Sequence, residues 1–404
     1  DLLEHRDRSR SRRPLVALGF LGPILFLFAM YWIAESAVPR IVAAAEQNLI
    51  DRALGSDGVS ARLLAESVHQ ELHSRQAVLE RIADVPMLRD LIHQSRELTD
   101  EQLLQCCSGV VSDAPQAAGA YDWMRQVVAN EQQRLTSDGR TTDDSWFVTD
   151  ARGRQVFRSP PQEGDRQTTL GRFFHWRDYF HGRDEELPPE TPLDSISIRT
   201  TPGVSTPFRS QATDQYMVAI AMPVASPEDG RVVGILARTI RLTALLQQWE
   251  VRLRDESLES SDISVHTDTQ PRFLALADTR GDSMKLLDHP ALTSQQLSSL
   301  KQEEIDSLLT IASETAESLQ TRGQIDHYRD PFSKLSDDYT GEWLAAAAPV
   351  GDTGWMTIVQ ERRDSTIQPV DNLRRVFLRA GVWSIGIFSA LLLLLWYLIQ
   401  RAAN

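Results

Sequence analysis

Two apolar stretches without a charged residue lie at opposite ends of the chain, at residues 15–34 and 380–399. Each is 20 residues long, which is about the length that a helix needs to cross the hydrocarbon core of a bilayer. A buried helix of a soluble protein usually keeps a polar stripe, and a signal peptide has a shorter apolar run that ends at a small-residue cleavage site. Both stretches are therefore predicted to be transmembrane helices.

The flanking charges predict how these helices are oriented. One arginine, Arg40, closely follows the first stretch, whereas five precede it: Arg6, Arg8, Arg10, Arg12 and Arg13. Positive residues favour the cytoplasmic side, so we expect residues 36–378 to be extracytoplasmic in a two-pass protein of the inner (cytoplasmic) membrane. Arginines 374, 375 and 379 on the outer side of the second stretch oppose this orientation.

Length, charge and cysteine content narrow the classes of function. The 404 residues suffice for two or three domains, and the net charge of −14 argues against a nucleic-acid partner. Cys106 and Cys107 are the two cysteines, and adjacent cysteines rarely form a disulfide. Because the sequence begins with Asp1 rather than Met, we expect it to be part of a longer protein.

The first hundred extracytoplasmic residues have a helical pattern. A stripe of apolar residues recurs at helical spacing, namely Leu64, Val68, Leu72, Leu79 and Ile82. It predicts either a parallel dimer or packing against the rest of the chain. We expect "GSDG" at 55–58 to bend the helix and Pro86 to end it or kink it. Further helices are predicted at "LTDEQLLQCCSGVV" and near residues 121–135.

The pattern changes to strands at Ser145. The stretch "SWFVTDARGRQVFRS" predicts a hairpin, followed by the aromatic-rich "FFHWRDYFHG" and the polar, proline-rich "DEELPPETP". Strands are then predicted at "VSTPFRS", "YMVAIAMPV" and "RVVGILARTI", with turns at residues 213–215 and 229–230. After the helical "LTALLQQWEVRL", the same order repeats: strands at "DISVHTD" and "FLALADTRGDSMKLL", a helix at 293–314, and a hairpin of "GEWLAAAAPV" and "WMTIVQERR".

Together these features resemble the double Cache (dCache) sensor domain. The resemblance implies an α+β fold with a long N-terminal helical stalk and two PAS-like (Cache) lobes of antiparallel sheet, flanked by two transmembrane helices. The implied segments are a basic cytoplasmic segment (1–14), transmembrane helix 1 (15–36), the stalk (37–140), a membrane-distal lobe (141–247), a membrane-proximal lobe (248–364), a connecting helix (365–379), transmembrane helix 2 (380–399) and a cytoplasmic tail (400–404).

A narrower resemblance concerns the stretches "WRDYFHGR", "TPFRSQATDQYMVAIAMPV" and "VQERRDSTIQPVDNLRR". They look like sensor regions attached to bacterial transmembrane serine/threonine protein kinases, in which the kinase domain precedes the first span. This implies a kinase domain, with its ATP and Mg, N-terminal to the present chain. The sequence contains no phosphate-binding glycine loop and no kinase motif, and the spacing of its histidines does not predict a metal site. We expect no cofactor in this chain.

The resemblance also implies a ligand site in the membrane-distal lobe. Trp176, Arg177 and Tyr179 would bind a ligand carboxylate, because a guanidinium matches a carboxylate with two hydrogen bonds. Phe208, Ser210 and Thr239 stand where amino-acid-binding members carry further ligand contacts, including the acidic residues that hold an ammonium group. The predicted ligand is therefore a small carboxylate or another metabolite rather than an α-amino acid.

Two alternatives stay open at this point. The aromatic stretch can serve packing alone, with Arg177 and Asp178 as a surface pair. The chain can also be a membrane-anchored solute-binding or envelope protein without a kinase, rather than a signalling receptor.

Overall fold

A computed structural model describes residues 4–109, 115–161, 169–211, 216–241, 272–281, 283–293 and 302–403. The chain divides into two compact units, one formed by residues 1–55 and 363–404 and the other by residues 56–362. The predicted turn at 213–215, the helix "LTALLQQWEVRL", the strand "DISVHTD" and the start of the helix at 293–314 lie outside the described residues.

The described helices are α1 (Glu4–Ala83), α2 (Pro86–Gln94), α3 (Asp100–Ser108), α4 (Pro115–Ser137), α5 (Asp178–His181), α6 (Gln302–Leu309), α7 (Ser313–Arg322) and α8 (Arg363–Ala403). The described strands are β1 (Ser145–Asp150), β2 (Gln155–Ser159), β3 (Gly203–Val204), β4 (Phe208–Arg209), β5 (Tyr216–Ala225), β6 (Val232–Arg241), β7 (Phe273–Asp278), β8 (Lys285–Asp288), β9 (Gln324–Tyr328), β10 (Trp343–Val350) and β11 (Trp355–Arg362).

Local signals set the ends of the early helices. Helix α2 starts with Pro86, which needs no hydrogen-bond acceptor in a first turn. Helix α3 starts after Thr99, which forms a reciprocal capping box with Gln102. The bend expected at "GSDG" was wrong: α1 continues through residues 55–58. The structure offers a reason, because Asp57 is fully buried and paired with Arg272, which holds this turn in place.

The first lobe, which we define as β1–β6 with α5, is built on an antiparallel sheet in the order β2-β1-β6-β5-β3, with β4 also paired to β5. The predicted hairpin forms β1 and β2, and "VSTPFRS" forms two short strands, β3 and β4, instead of one. Both short strands pair with β5 and together make one interrupted edge. The first sheet therefore has five strand positions.

The second lobe, β7–β11 with α6 and α7, repeats this arrangement. Its described sheet is antiparallel in the order β8-β7-β11-β10-β9, which is the same order of strand positions as in the first lobe. The predicted final hairpin is confirmed as β10 and β11 in continuous register. Strand β9 was not predicted. It is short, and its residues are mainly exposed rather than alternating.

One face of the first sheet packs against the helical layer of α1–α4. This core includes the predicted stripe of α1, since Val68 and Leu79 are at most 1% exposed. Helix α1 also backs the second lobe, where the Thr357 hydroxyl donates to the Ala61 carbonyl (2.9 Å). The stripe is thus buried within the chain, and of the two alternatives for it, packing on the lobes is the one that the structure supports.

The other unit contains the start of α1 and all of α8. Among the residues whose side chains are described, one helix segment, Arg363–Leu398, is long and apolar enough to cross a membrane. No residue in the most apolar part of this segment is buried. Val382 and Trp383 are more than 70% exposed. Within this unit Arg363 also pairs with Glu46 (2.6 Å). An apolar surface of this kind favours a lipid environment.

Candidate functional site

The aromatic segment after the first hairpin is fixed against the hairpin turn. The Phe174 amide donates to the Gly153 carbonyl (2.8 Å). Gly153 has a φ of +78°, and a Cβ there would lie 2.7 Å from the His175 backbone nitrogen. Glycine is therefore required both by the turn and by the close approach of the two backbones. This contact places residues 173–182 over one face of the first sheet.

A short helix, α5, then orients the predicted site residues. It spans Asp178–His181 and is followed by Gly182, which has a left-handed backbone. The buried Asp178 carboxylate accepts from the amides of Asp184 (2.8 Å) and Thr206 (2.7 Å). Asp178 therefore anchors this segment to the edge of the sheet, rather than forming the surface pair with Arg177 that the sequence left open.

The face of the first sheet beneath α5 carries small side chains in its middle. Ala237 of β6 stands opposite Phe147 of β1 and Ala221 of β5, and Thr239 stands opposite Ala219. A small cavity that is open to solvent lies on this face of the sheet.

Five of the six predicted site residues line this cavity: Arg177, Tyr179, Phe208, Ser210 and Thr239. The sixth, Trp176, lies behind the wall, where its ring contacts the guanidinium of Arg177. The structure thus brings the predicted set together around one space, with Trp176 as a supporting residue. Burial raises the pKa of the Tyr179 phenol, so the hydroxyl stays protonated.

The Arg177 guanidinium contacts two aromatic rings, a carboxylate and a backbone carbonyl. Its guanidinium carbon lies 4.2 Å from the Trp176 ring centre and 4.8 Å from that of Phe208. One terminal nitrogen contacts both carboxylate oxygens of Glu186, at 2.6 and 2.8 Å, and the other donates to the Arg209 carbonyl at 3.0 Å. Burial raises the pKa of Glu186, against the opposing attraction of Arg177. The charge of Arg177 is already compensated within the chain.

A second arginine, Arg158, also lines the cavity and was not predicted. It stands on β2 directly opposite Phe147, so both side chains share the cavity face of the sheet. Arg158 is 7% exposed, and its Nε is buried without a hydrogen-bond partner. Burial lowers its pKa, while Asp144 acts in the opposite direction. Among the described residues, the guanidinium of Arg158 forms no salt bridge.

The remaining lining residues are neutral: three apolar side chains, Phe147, Phe174 and Met217, and three polar ones, Gln155, Thr169 and Gln211. The described lining therefore contains two arginines and no Asp or Glu. Such a wall can bind an anionic group through the guanidinium and an apolar or hydroxylated body through rings and amides. Its described residues do not supply a carboxylate for an ammonium group.

That Arg158 faces the cavity could have been predicted from the sequence only if the register of β2 on β1 were known. The pattern "QVFRS" has no clear alternation, because four of its five residues are buried. Glu186 was equally hidden within the polar loop "DEELPPETP", nine residues from its partner Arg177. Neither residue type nor spacing indicates that this loop returns to the cavity.

Comparison with solved structures gives several neighbours of similar extent. The ligand-binding domain of the Pseudomonas fluorescens chemoreceptor CtaA, in complex with L-isoleucine, has a TM-score of 0.42 and 17% identity over 81% of this chain and 97% of its own. That of the Campylobacter jejuni chemoreceptor Tlp3, with L-valine, has a TM-score of 0.41 and 12% identity over 80% and 97%. The extracellular domain of rpHK1S-Z16, described as a histidine kinase, has a TM-score of 0.44 and 13% identity over 78% and 97%.

No protein-family model matches the chain, and the comparison with curated proteins gave no match. These neighbours are ligand-binding domains of chemoreceptors and the extracellular domain of a histidine kinase. The structure itself has a long N-terminal helix that packs on two lobes. Each lobe has an antiparallel sheet, and the described strands of the two sheets follow the same order. This is the α+β, paired-lobe architecture that the resemblance to double Cache sensor domains implied.

Proposed function

We propose that this chain is the extracytoplasmic ligand-sensing region of a transmembrane signalling receptor, and that its first lobe binds a small carboxylate. The observation that carries the proposal is the cavity of the first lobe, whose described lining holds two arginines and no acidic side chain. The proposed ligand-contacting residues are Arg177, Tyr179, Phe208, Ser210 and Thr239, with Trp176 in support. Arginine suits this task because its planar donors match a carboxylate.

The proposed topology is a two-pass protein of the inner membrane, with the stretch at 15–34 as the first span and the apolar part of α8 as the second. The exposed apolar surface of α8 supports the second span, and the uncharged sequence supports the first. Reporter fusions test this arrangement. A periplasm-dependent reporter inserted at Gly139 should be active, and the same reporter after Asn404 should be inactive.

A chain of contacts can couple the cavity to the second lobe. Asp178, next to Arg177, holds the amide of Asp184 (2.8 Å). The Asp184 carboxylate pairs with Arg280 of the second lobe (3.0 Å), and Arg280 also donates to the carbonyl of Val204 (2.9 Å). A ligand that shifts α5 would change this contact, and it can move the equilibrium only by its different affinity for the two states.

The proposed output is a serine/threonine protein kinase domain that precedes Asp1 in the full protein, with ATP and Mg bound there. Its support is the resemblance of three stretches of the sequence to kinase-linked sensor regions. The alternative is a membrane-anchored solute-binding or envelope protein without a kinase. Autophosphorylation of the full-length protein in vesicles, measured with and without a carboxylate that binds the cavity, separates the two. Signalling predicts a ligand-dependent rate, whereas the alternative predicts no phosphorylation.

The carboxylate itself is tested by thermal-shift screening of the 404-residue chain in detergent. Small monocarboxylates should raise the melting temperature, and their uncharged amides should not. The loss of this difference in a variant with a larger side chain in the cavity wall, Ser210→Leu, would place the binding in the first lobe.

A further inference from the structure

Two cations line the cavity of the first lobe, and they differ in what surrounds them. Arg177 contacts both oxygens of Glu186, donates to a backbone carbonyl and is stacked between two rings. Arg158 is equally buried, but none of the described acidic residues lies within salt-bridge distance of it. The acidic group that acts on it most strongly, Asp144, is instead 3.5 Å from Arg241.

An unpaired buried guanidinium is costly. Moving a charged side chain out of water costs several kcal/mol unless a counter-ion and hydrogen bonds replace the water. Buried polar groups without partners are rare in native proteins and need an explanation, of which an absent ion or ligand is one. Several described arginines have a buried nitrogen without a hydrogen-bond partner, namely Arg125, Arg158, Arg199, Arg238 and Arg363, and of these Arg158 lines the cavity.

We propose that Arg158 is the residue that binds the anionic group of the ligand, and that Arg177 shapes the wall with its charge neutralised by Glu186. This inference rests on the proposed function and adds to it the position of the charged anchor. It also narrows the ligand class to small monocarboxylates. One guanidinium matches one carboxylate, and the lining includes Phe147, Phe208 and Met217, which suit an apolar body.

The pairing of β1 with β2 supports the assignment of Arg158 as the residue that binds the anionic group. Arg158 and Phe147 are cross-strand partners, and Phe147 contacts the ring of Tyr179 with centroids 4.9 Å apart. A carboxylate bound to Arg158 would therefore lie next to the rings of Phe147 and Tyr179. The Arg177–Glu186 pair would close the far wall.

The test is calorimetric titration of the 404-residue chain in detergent with propionate, butyrate and benzoate, each compared with its uncharged amide. The wild type should bind at least one carboxylate and not the matching amide. Arg158→Gln should weaken carboxylate binding by about 100-fold, the loss expected when a desolvated charge partner is removed. Arg158→Lys keeps the charge but loses the planar fork and should weaken it by about tenfold. Arg152→Gln is the control: this arginine is exposed on the turn of the same hairpin, and the affinity should not change.

Melting temperature separates binding from folding. Removing an uncompensated buried charge should leave the melting temperature of Arg158→Gln equal to or above that of the wild type, whereas a structural arginine would lower it. Carboxylate binding that survives Arg158→Gln within threefold, and disappears in Arg177→Gln, would overturn the inference and leave the proposed function standing. If the wild type binds none of the three carboxylates, the proposed function and the inference fail together.

Discussion

Asp143 is the centre of a buried charge network, and its replacement by asparagine gives the sharpest test of how the first lobe is attached to α1. Asp143 pairs with Arg75 of α1 and with Arg238 of β6, the latter at 2.5 Å. It also accepts from the indole of Trp146 at 2.7 Å. The side chains of both arginines and of Asp143 are fully buried.

The expected cost follows from these contacts. Removing one partner from a buried ion pair typically costs about 3–5 kcal/mol, because the remaining charge stays buried without compensation. Arg75 keeps Glu71 at 2.6 Å and Arg238 keeps Glu131 at 3.2 Å, so we expect Asp143→Asn to lie at the lower end, at about 3 kcal/mol. For a unit of this size, that corresponds to a fall in melting temperature of roughly 5–10 °C.

The two cysteines provide the assay. Cys106 and Cys107 are free, buried in the helical layer and the only cysteines of the sequence. A thiol-reactive fluorogenic dye therefore reports the unfolding of this unit even when the chain is in detergent. The matched control is Asp138→Asn, which removes an exposed pair with Arg134 (3.1 Å) and should cost less than about 1 kcal/mol. Equal melting temperatures for the two variants would refute the assignment of the network as a structural anchor.

Three further predictions use the same dye or titration assay. Burial and the nearby Glu361 raise the pKa of Asp57 to about 7, so the folded chain holds this proton more tightly than the unfolded chain. Stability should therefore fall between about pH 4 and pH 7, by up to about 4 kcal/mol, and Asp57→Asn should remove this slope. Glu186→Gln should tighten carboxylate binding by about tenfold, because it frees a second cation in the cavity. Arg280→Gln should lower stability by about 1–3 kcal/mol through the lost contacts between the lobes.

Each of these has a contrary result. A pH profile of Asp57→Asn that parallels the wild type would show that other groups cause the slope. Weaker carboxylate binding in Glu186→Gln would show that this glutamate supports the site instead of competing with the ligand. A melting temperature of Arg280→Gln equal to that of the wild type would show that the contact between the lobes contributes nothing measurable to stability.

Much of the fold was predictable because its signals are local. The capping residue Thr99, the turn at 150–153 and the hairpin turn at 351–354 each determine the backbone within a few residues. The errors occurred where long-range contacts decide. The helix passes through "GSDG", where the buried Asp57 lies 2.9 Å from Arg272, a residue more than two hundred positions away.

The site was also predictable only where its signal is local in the sequence. The aromatic segment was found because rings and an arginine are concentrated in a short stretch, and five of the six predicted residues line one cavity. Arg158 was missed because one strand register decides which face it occupies. Glu186 was missed because a loop must fold back to reach Arg177.

The two faces of the first sheet surround their buried arginines differently, and this contrast supports the proposal that the cavity binds an anion. Arg238 and Arg158 are both buried, and burial lowers the pKa of both. On the helix face, Arg238 has two carboxylates within 3.2 Å, Asp143 and Glu131. On the cavity face, Arg158 has none among the described residues. If the chain needed arginine at both positions only for packing, both charges would require the same compensation. An anion that enters the first lobe, as proposed above, would supply the partner that Arg158 lacks among the described residues.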